Sequence, residues 1–139
     1  MKTATPHDRT PEFDPEASHF STADGIHFAG RHLLIDLWRA SRLDDLDHIE
    51  ETLRRAVEVA GATLLRIDLH QFTEMNGVSG VALLAESHMS IHTWPECGYA
   101  ALDVFFCGDC DPYLALPVLK AAFEPKDLRV SEHKRGIVL

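Results

Sequence analysis

The sequence has no long hydrophobic run, few cysteines and no excess of positive charge. None of its apolar stretches reaches the roughly 20 residues that a membrane-spanning helix needs. Residues 1–18 carry no apolar core like that of a secretory signal. We therefore expect a cytoplasmic protein with no membrane partner. The net charge of −9 also disfavours a nucleic-acid partner, because the phosphate backbone would repel the chain.

The three cysteines, Cys97, Cys107 and Cys110, are typical of a reducing compartment rather than of a disulfide scaffold. Cys107 and Cys110 have the C-x-x-C spacing of zinc knuckles and redox motifs. A zinc knuckle usually needs a second such pair, which the sequence lacks, and one pair is a weak indication of redox chemistry. We assign no role to Cys110.

The 139 residues are enough for one domain with one core. Residues 1–25 lack apolar periodicity and are predicted to be a flexible N-terminal tail, and residues 26–139 to form the domain. The periodicity predicts, in chain order, a strand over 27–38, a helix from Asp44 or Asp45 to 60, strands over 63–72, 78–85, 87–93 and 99–107, a helix starting at Asp111, and a strand over 127–132.

These elements predict an α+β fold, an antiparallel sheet with two helices on one face. Leu65, Ile67 and Leu69 are predicted to lie under the helices. The other face is too mixed for a core and too aromatic for plain solvent. Strand alternation gives that face these residues: Arg66, Asp68, His70, Phe72, His88, Ser90, His92, Tyr99, Ala101, Asp103, Phe105 and Cys107. A homodimer that completes the sandwich, with sites at or near the interface, would explain it.

The most informative stretch is 83–96, LLAESHMSIHTWPE, because Glu86-Ser87 can be read as a bond that the protein cleaves itself. A serine hydroxyl in a strained turn can attack the preceding carbonyl and convert the amide into an ester. The tetrahedral oxyanion on the way needs a hydrogen-bond donor. Removal of the serine α-proton then eliminates the ester, and the resulting dehydroalanine hydrolyses to a pyruvoyl group and ammonia.

A pyruvoyl ketone forms a Schiff base with a substrate amine and accepts the electrons that remain when CO₂ departs. The carbanion then needs a proton donor, and a thiol such as Cys107 is suitable. Other readings remain open from the residues alone. Glu86-Ser87-His88 could be a polar turn between strands, His88 and His92 could be metal ligands, and Cys107 could be a small buried residue.

A family resemblance adds to this reading. The run GVSGVALLAESHMSIHTWPECGYAALDVFFCG over residues 77–108 closely resembles bacterial S-adenosylmethionine decarboxylase proenzymes of the short, single-domain type. The likeness extends from Gly30-Arg31-His32 to the HKRG run that ends at Gly136. It implies a zymogen that cleaves itself between Glu86 and Ser87, with Ser87 becoming the pyruvoyl group.

The resemblance also implies roles for other residues. His92 is expected to be the base that removes the α-proton during processing, and Ser79 to support the ester intermediate. Cys107 is expected to be the acid that protonates the product. Phe72 is expected to contact the substrate as an aromatic surface for the adenine or the sulfonium, and Glu96 to bind the ribose hydroxyls. The product would supply spermidine, and thus polyamine, biosynthesis.

Two alternatives to S-adenosylmethionine decarboxylation remain. The first is the same pyruvoyl chemistry on arginine or ornithine, because the processing motif builds the cofactor and not the specificity. The second is a homologue that never cleaves and regulates a processed partner. The intact Ser87, His92 and Cys107 disfavour the second. No metal ion or putrescine is expected to be required, since the sequence shows neither a cluster of metal ligands nor a pattern that predicts a putrescine pocket.

Overall fold

The computed structural model describes residue 14 and residues 20–138. It contains eight strands and two α-helices. In chain order these are β1 (Ser21–Ala23), β2 (Ile26–Phe28), β3 (Gly30–Trp38), α1 (Leu46–Val59), β4 (Leu64–Gln71), β5 (Val78–Leu84), β6 (Ser87–Trp94), β7 (Tyr99–Cys107), α2 (Ala115–Phe123) and β8 (Asp127–Arg135). Short 3₁₀ turns, Pro95–Cys97 and Pro112–Leu114, precede β7 and α2. None of the helices in these residues is long and apolar enough to cross a membrane.

Six strands form one antiparallel sheet in the order β4-β5-β6-β7-β3-β8. Strands β4 to β7 are consecutive in the chain and follow one another as hairpins, which antiparallel strands with short loops favour. β3 and β8 come from the two ends of the domain and pair beyond β7. β1 and β2 form a separate hairpin.

Both helices pack against one face of this sheet. Asp45 caps α1 by accepting a hydrogen bond from the backbone N–H of His48 at 3.1 Å, and the apolar positions of α1 recur at helical spacing. Ile49 and Leu53 of α1 and Leu119 and Phe123 of α2 are fully buried in one core cluster with the inward side chains of the sheet. The predicted fold class, an antiparallel sheet with two helices on one face, is confirmed.

The opposite face of the sheet, which we call the open face, carries no helix of the described chain. It presents exposed apolar side chains next to charged and polar ones. Large apolar residues on it include Leu34, Trp38, Val81, Leu83 and Trp94, with 39–45% of each exposed. A mixed apolar and polar surface of this kind is typical of an interface rather than of a core or a plain solvent face.

The structure differs from the predicted elements at four places. Most of the predicted tail lies outside the described residues, but Ser21–Ala23 at its end pairs with Ile26–Phe28 as a hairpin. The strand predicted over 27–38 is two strands, interrupted at Ala29. The second α-helix begins at Ala115 after a 3₁₀ turn, and the last strand continues to Arg135.

The prediction that Leu65 lies under the helices was wrong. The pairing register of β4 with β5 shifts between Leu64 and Arg66, so the strand carries an irregularity there. An extra residue in a strand sends the following side chains to the other face. Leu64 therefore packs on the core, whereas Leu65 is 62% exposed, and Ile67 and Leu69 keep their predicted side.

Candidate active site

The predicted cleavage site lies in the tight turn between β5 and β6. Leu84 and Ser87 are paired across this hairpin, which leaves Ala85 and Glu86 as the turn. Glu86 has φ +60°, in the left-handed region that favours glycine. The side chain of Ser87 is buried, with 8% exposed. The bond between Glu86 and Ser87 therefore joins a strained turn residue to a buried hydroxyl.

Cys107, at the end of β7, contacts both residues of this bond. Its thiol donates a hydrogen bond to the carbonyl oxygen of Glu86 at 2.9 Å. Its backbone N–H donates to the Oγ of Ser87 at 3.1 Å. Partial burial raises the pKa of the Cys107 thiol above its ordinary value, so the sulfur stays protonated at neutral pH and remains a donor. The structure thus brings together Glu86, Ser87 and Cys107.

Ser79 and His92 form a second pair. They are directly opposite each other on β5 and β6, and the Oγ of Ser79 lies 2.9 Å from the Nδ1 of His92. Glycines on either side of Ser79 let neighbouring strands approach closely, Gly77 towards β6 and Gly80 towards β4. A Cβ at Gly77 would lie 2.8 Å from the carbonyl of Thr93, and one at Gly80 would lie 2.8 Å from that of Asp68.

The Ser79–His92 pair is far from the scissile bond within one chain. His92 lies five positions after Ser87 on β6, which corresponds to roughly 16 Å of extended strand. The two side chains also leave β6 on opposite faces, since Ser87 is buried on the helix side and His92 is exposed on the open face. The structure does not bring the predicted processing base to the residue that it would deprotonate.

The two predicted substrate residues lie beside His92. Phe72, Ser79, His92 and Glu96 line one cavity of about 690 Å³, which also contacts the 73–75 loop and Trp94. Its walls combine two aromatic rings, Phe72 and Trp94, with carboxylates of Glu74 and Glu96. Aromatic faces and carboxylates suit a cationic ligand that carries a flat ring system.

Trp94 is the end of an aromatic stack that sequence reasoning missed. Tyr99 lies between Trp94 and Trp38, with ring centroids 5.2 Å and 4.3 Å away. The hydroxyl of Tyr99 donates to a carboxylate oxygen of Asp36 at 2.6 Å, which raises the pKa of Tyr99 to about 12. The stack supports Trp94, which lines the cavity. Strand alternation places these residues on one face. Their contact, however, depends on the register in which β7 pairs with β3 and β6, and the sequence alone does not give that register.

A cluster around Asp103 on the open face is also new. Burial, the largest single influence, raises the pKa of Asp103, but hydrogen bonds from Ser90, His88 and His32 outweigh it and lower the pKa overall. Among the residues that the structure describes, His32, His88 and Asp103 are a group whose ligand atoms lie close enough to hold a metal ion. His88 and His92, the pair suggested by sequence, have different partners.

Cys110 does not share the contacts of Cys107. Its sulfur donates to the carbonyl oxygen of Gly61 at 3.3 Å, on the side of helix α1. Burial raises the pKa of the Cys110 thiol as well. Both sulfurs are free thiols, and neither has the lowered pKa that favours thiol–disulfide chemistry.

Comparisons with known proteins agree on one family. Residues 31–136 match the model of the family described as S-adenosylmethionine decarboxylase. The S-adenosylmethionine decarboxylase proenzyme of Thermomicrobium roseum is 46% identical over 111 residues, covering 79% of this chain and 96% of the relative. That of Thermotoga maritima is 46% identical over 110 residues, covering 77% and 84%.

The fold has a solved counterpart. The crystal structure of the adenosylmethionine decarboxylase from Aquifex aeolicus superposes with a TM-score of 0.72 at 39% identity. The match covers 81% of this chain and 94% of the other.

Proposed function

Because the chain belongs to the S-adenosylmethionine decarboxylase family, we infer that it decarboxylates S-adenosylmethionine after cleaving itself between Glu86 and Ser87. The observation that carries the proposal is the scissile turn, where a left-handed Glu86 has its carbonyl oxygen bonded to the Cys107 thiol. The product, which retains an aminopropyl group, would supply spermidine synthesis in the cytoplasm.

Processing would begin with attack of the Ser87 Oγ on the Glu86 carbonyl carbon. The amide C–N bond breaks as the ester C–O bond forms, and the serine proton moves to the freed amine. Cys107 supports this step, since its S–H group points at the oxygen on which negative charge develops. Removal of the α-proton of residue 87 then releases the Glu86 carboxylate, and water converts the dehydroalanine into a ketone and ammonia.

The surroundings of residue 87 suit a pyruvoyl group. Cleavage makes residue 87 a chain end beside Cys107, whose backbone N–H and thiol contact the two residues of the bond before it breaks. The ketone would supply an electron sink for the departing carboxylate of an amino-acid substrate. The Cys107 thiol, protonated at neutral pH, is placed to give a proton near residue 87.

The separation of Ser87 from His92 supports a homodimer. One end of the sheet carries Glu86, Ser87 and Cys107, and the other carries Ser79, His92 and the substrate cavity. A two-fold axis could pack the open faces of two copies together so that their strands run in opposite directions. The Ser87 end of each copy would then lie over the His92 end of the other. The exposed Leu34, Val81 and Leu83 would then be covered. Each site would be built from both subunits.

Mixing two inactive variants tests this arrangement. Expressed alone, the His92→Ala variant is expected to stall as the ester, because no base removes the α-proton of residue 87. Hydroxylamine would split this ester. A Ser87→Ala chain cannot cleave but still carries His92. In a co-expressed heterodimer it should let the His92→Ala chain mature, which mass spectrometry of the denatured mixture would detect. If His92→Ala matures equally well alone, His92 is not the base. If it never matures in the mixture, the site is not shared.

The proposed function itself is tested by mass and substrate. We expect the purified protein to denature into two fragments that meet at Glu86 and Ser87, and to release CO₂ from S-adenosylmethionine but not from arginine or ornithine. The aromatic walls of the cavity favour an adenine over a bare guanidinium. The assay should succeed without putrescine and after treatment with a chelator. A single uncleaved 15.5 kDa species would instead favour a regulatory homologue.

A further inference from the structure

Three consecutive residues of the scissile turn are held by hydrogen bonds. The backbone N–H of Ala85 donates to the carbonyl of Thr63 at 3.0 Å. Glu86 and Ser87 are both held by Cys107. A positive φ at a non-glycine residue persists only where its surroundings over-determine it. The next residue, His88, directly follows the scissile bond on β6, so a contact that holds it also acts on the turn.

His88 is held through its side chain. It leaves β6 on the open face, and its Nε2 donates to the Oδ2 of Asp103 at 2.9 Å. The ring of Phe105 tilts over it, with centroids 6.0 Å apart. Asp103 is itself fixed on its other oxygen by the hydroxyl of Ser90. The anchor of His88 is thus a carboxylate on the neighbouring strand β7, the strand that also carries Cys107.

His32 completes the cluster from the third strand, β3. Its Nε2 lies 2.6 Å from the Oδ2 of Asp103, and a guanidinium nitrogen of Arg135 lies 3.3 Å from its Nδ1. A guanidinium only donates, so Nδ1 of His32 is the acceptor and Nε2–H donates to Asp103. A metal-bound histidine instead donates its second N–H to an acceptor. The geometry therefore favours a hydrogen-bonded anchor over a metal centre.

We propose that His88 is a positioning residue for self-cleavage: anchored to Asp103, it fixes the rotation of β6 directly after the scissile bond. The inference rests on the proposed function. Successive side chains of a strand leave on opposite faces. Clamping His88 on the open face therefore sets the direction in which Ser87 points on the buried face. That direction decides whether its Oγ faces the Glu86 carbonyl carbon.

This role acts at the attack step and not at elimination, which makes it separable from that of His92. The test measures the rate of cleavage of purified precursor and the chemical nature of what accumulates. His88→Ala is expected to slow cleavage roughly ten- to a hundredfold, the effect of losing one hydrogen bond to a charged group. The uncleaved chain should resist hydroxylamine because the amide has not become an ester. His92→Ala should accumulate a hydroxylamine-sensitive chain.

Two controls keep the test decisive. His133→Ala removes an exposed histidine of β8 that is not a partner of Asp103 and should cleave at the wild-type rate. Asp103→Asn keeps one acceptor oxygen and should cleave faster than Asp103→Ala. This pair of variants tests the proposal if circular dichroism shows that His88→Ala does not fold.

Wild-type cleavage by folded His88→Ala, or equal rates for the two Asp103 variants, would overturn the proposal. An accumulated ester in folded His88→Ala would also overturn it. An uncleaved wild-type protein would instead refute the proposed function.

Discussion

The Ser87→Ala variant is expected to remain a single chain of about 15.5 kDa, while the wild-type protein separates into two fragments on denaturation. Alanine has no hydroxyl to attack the Glu86 carbonyl, so neither the ester nor the ketone can form. Decarboxylation of S-adenosylmethionine should fall to background. Denaturing mass spectrometry measures the first effect, and release of CO₂ measures the second.

The variant should fold, which makes its result interpretable. The Ser87 side chain accepts a hydrogen bond from the Cys107 backbone, and the loss of this bond costs about 1 kcal/mol of unfolding free energy. Ser131→Ala, at an exposed position of β8, is the matched control and should cleave like the wild type. Two fragments from Ser87→Ala would show that another residue is the nucleophile.

The Cys107→Ala variant is expected to cleave slowly and, once cleaved, to lose most of its turnover. Cleavage slows because the Glu86 carbonyl loses the donor that contacts it at 2.9 Å. Turnover falls by roughly 10²- to 10⁴-fold, the usual contribution of a positioned general acid. Processing is followed by the appearance of the two fragments, and turnover is expressed per cleaved chain, so the two losses are measured separately.

The pH dependence of cleavage gives an independent check on the thiol. The pKa of Cys107 is raised above its ordinary value of 9.0, and the donor form is the protonated thiol. Wild-type cleavage should therefore keep the thiol's contribution through neutral pH and lose it only as the pH rises through that raised pKa. This alkaline loss should vanish in Cys107→Ala. Cys110→Ala, whose sulfur contacts Gly61 instead, should keep it. Full turnover by cleaved Cys107→Ala would refute its role as the acid.

Much of the fold could be predicted from the sequence, because burial of one face makes apolar residues recur at a fixed spacing in each strand and helix. Alternation in β6 correctly placed His88, Ser90 and His92 on one face, and it bounded β7 at Tyr99 and Cys107. The helical spacing after Asp45 predicted α1 and its cap. The strand irregularity at Leu65 could not be predicted, because an extra residue breaks the two-residue alternation on which the strand prediction depends.

Most candidate site residues could be proposed from the sequence, since the resemblance over residues 77–108 is carried by contiguous motifs. Sequence by itself determined which residue types are available for the proposed chemistry, because residue type decides what can attack, donate or accept a proton. Only the tertiary structure decided how they are grouped. Strand length and register place Ser87 beside Cys107 but leave His92 with Ser79 at the far end of the sheet. They also join His32, His88 and Asp103 from three strands. Such contacts depend on long-range pairing, which no local pattern specifies.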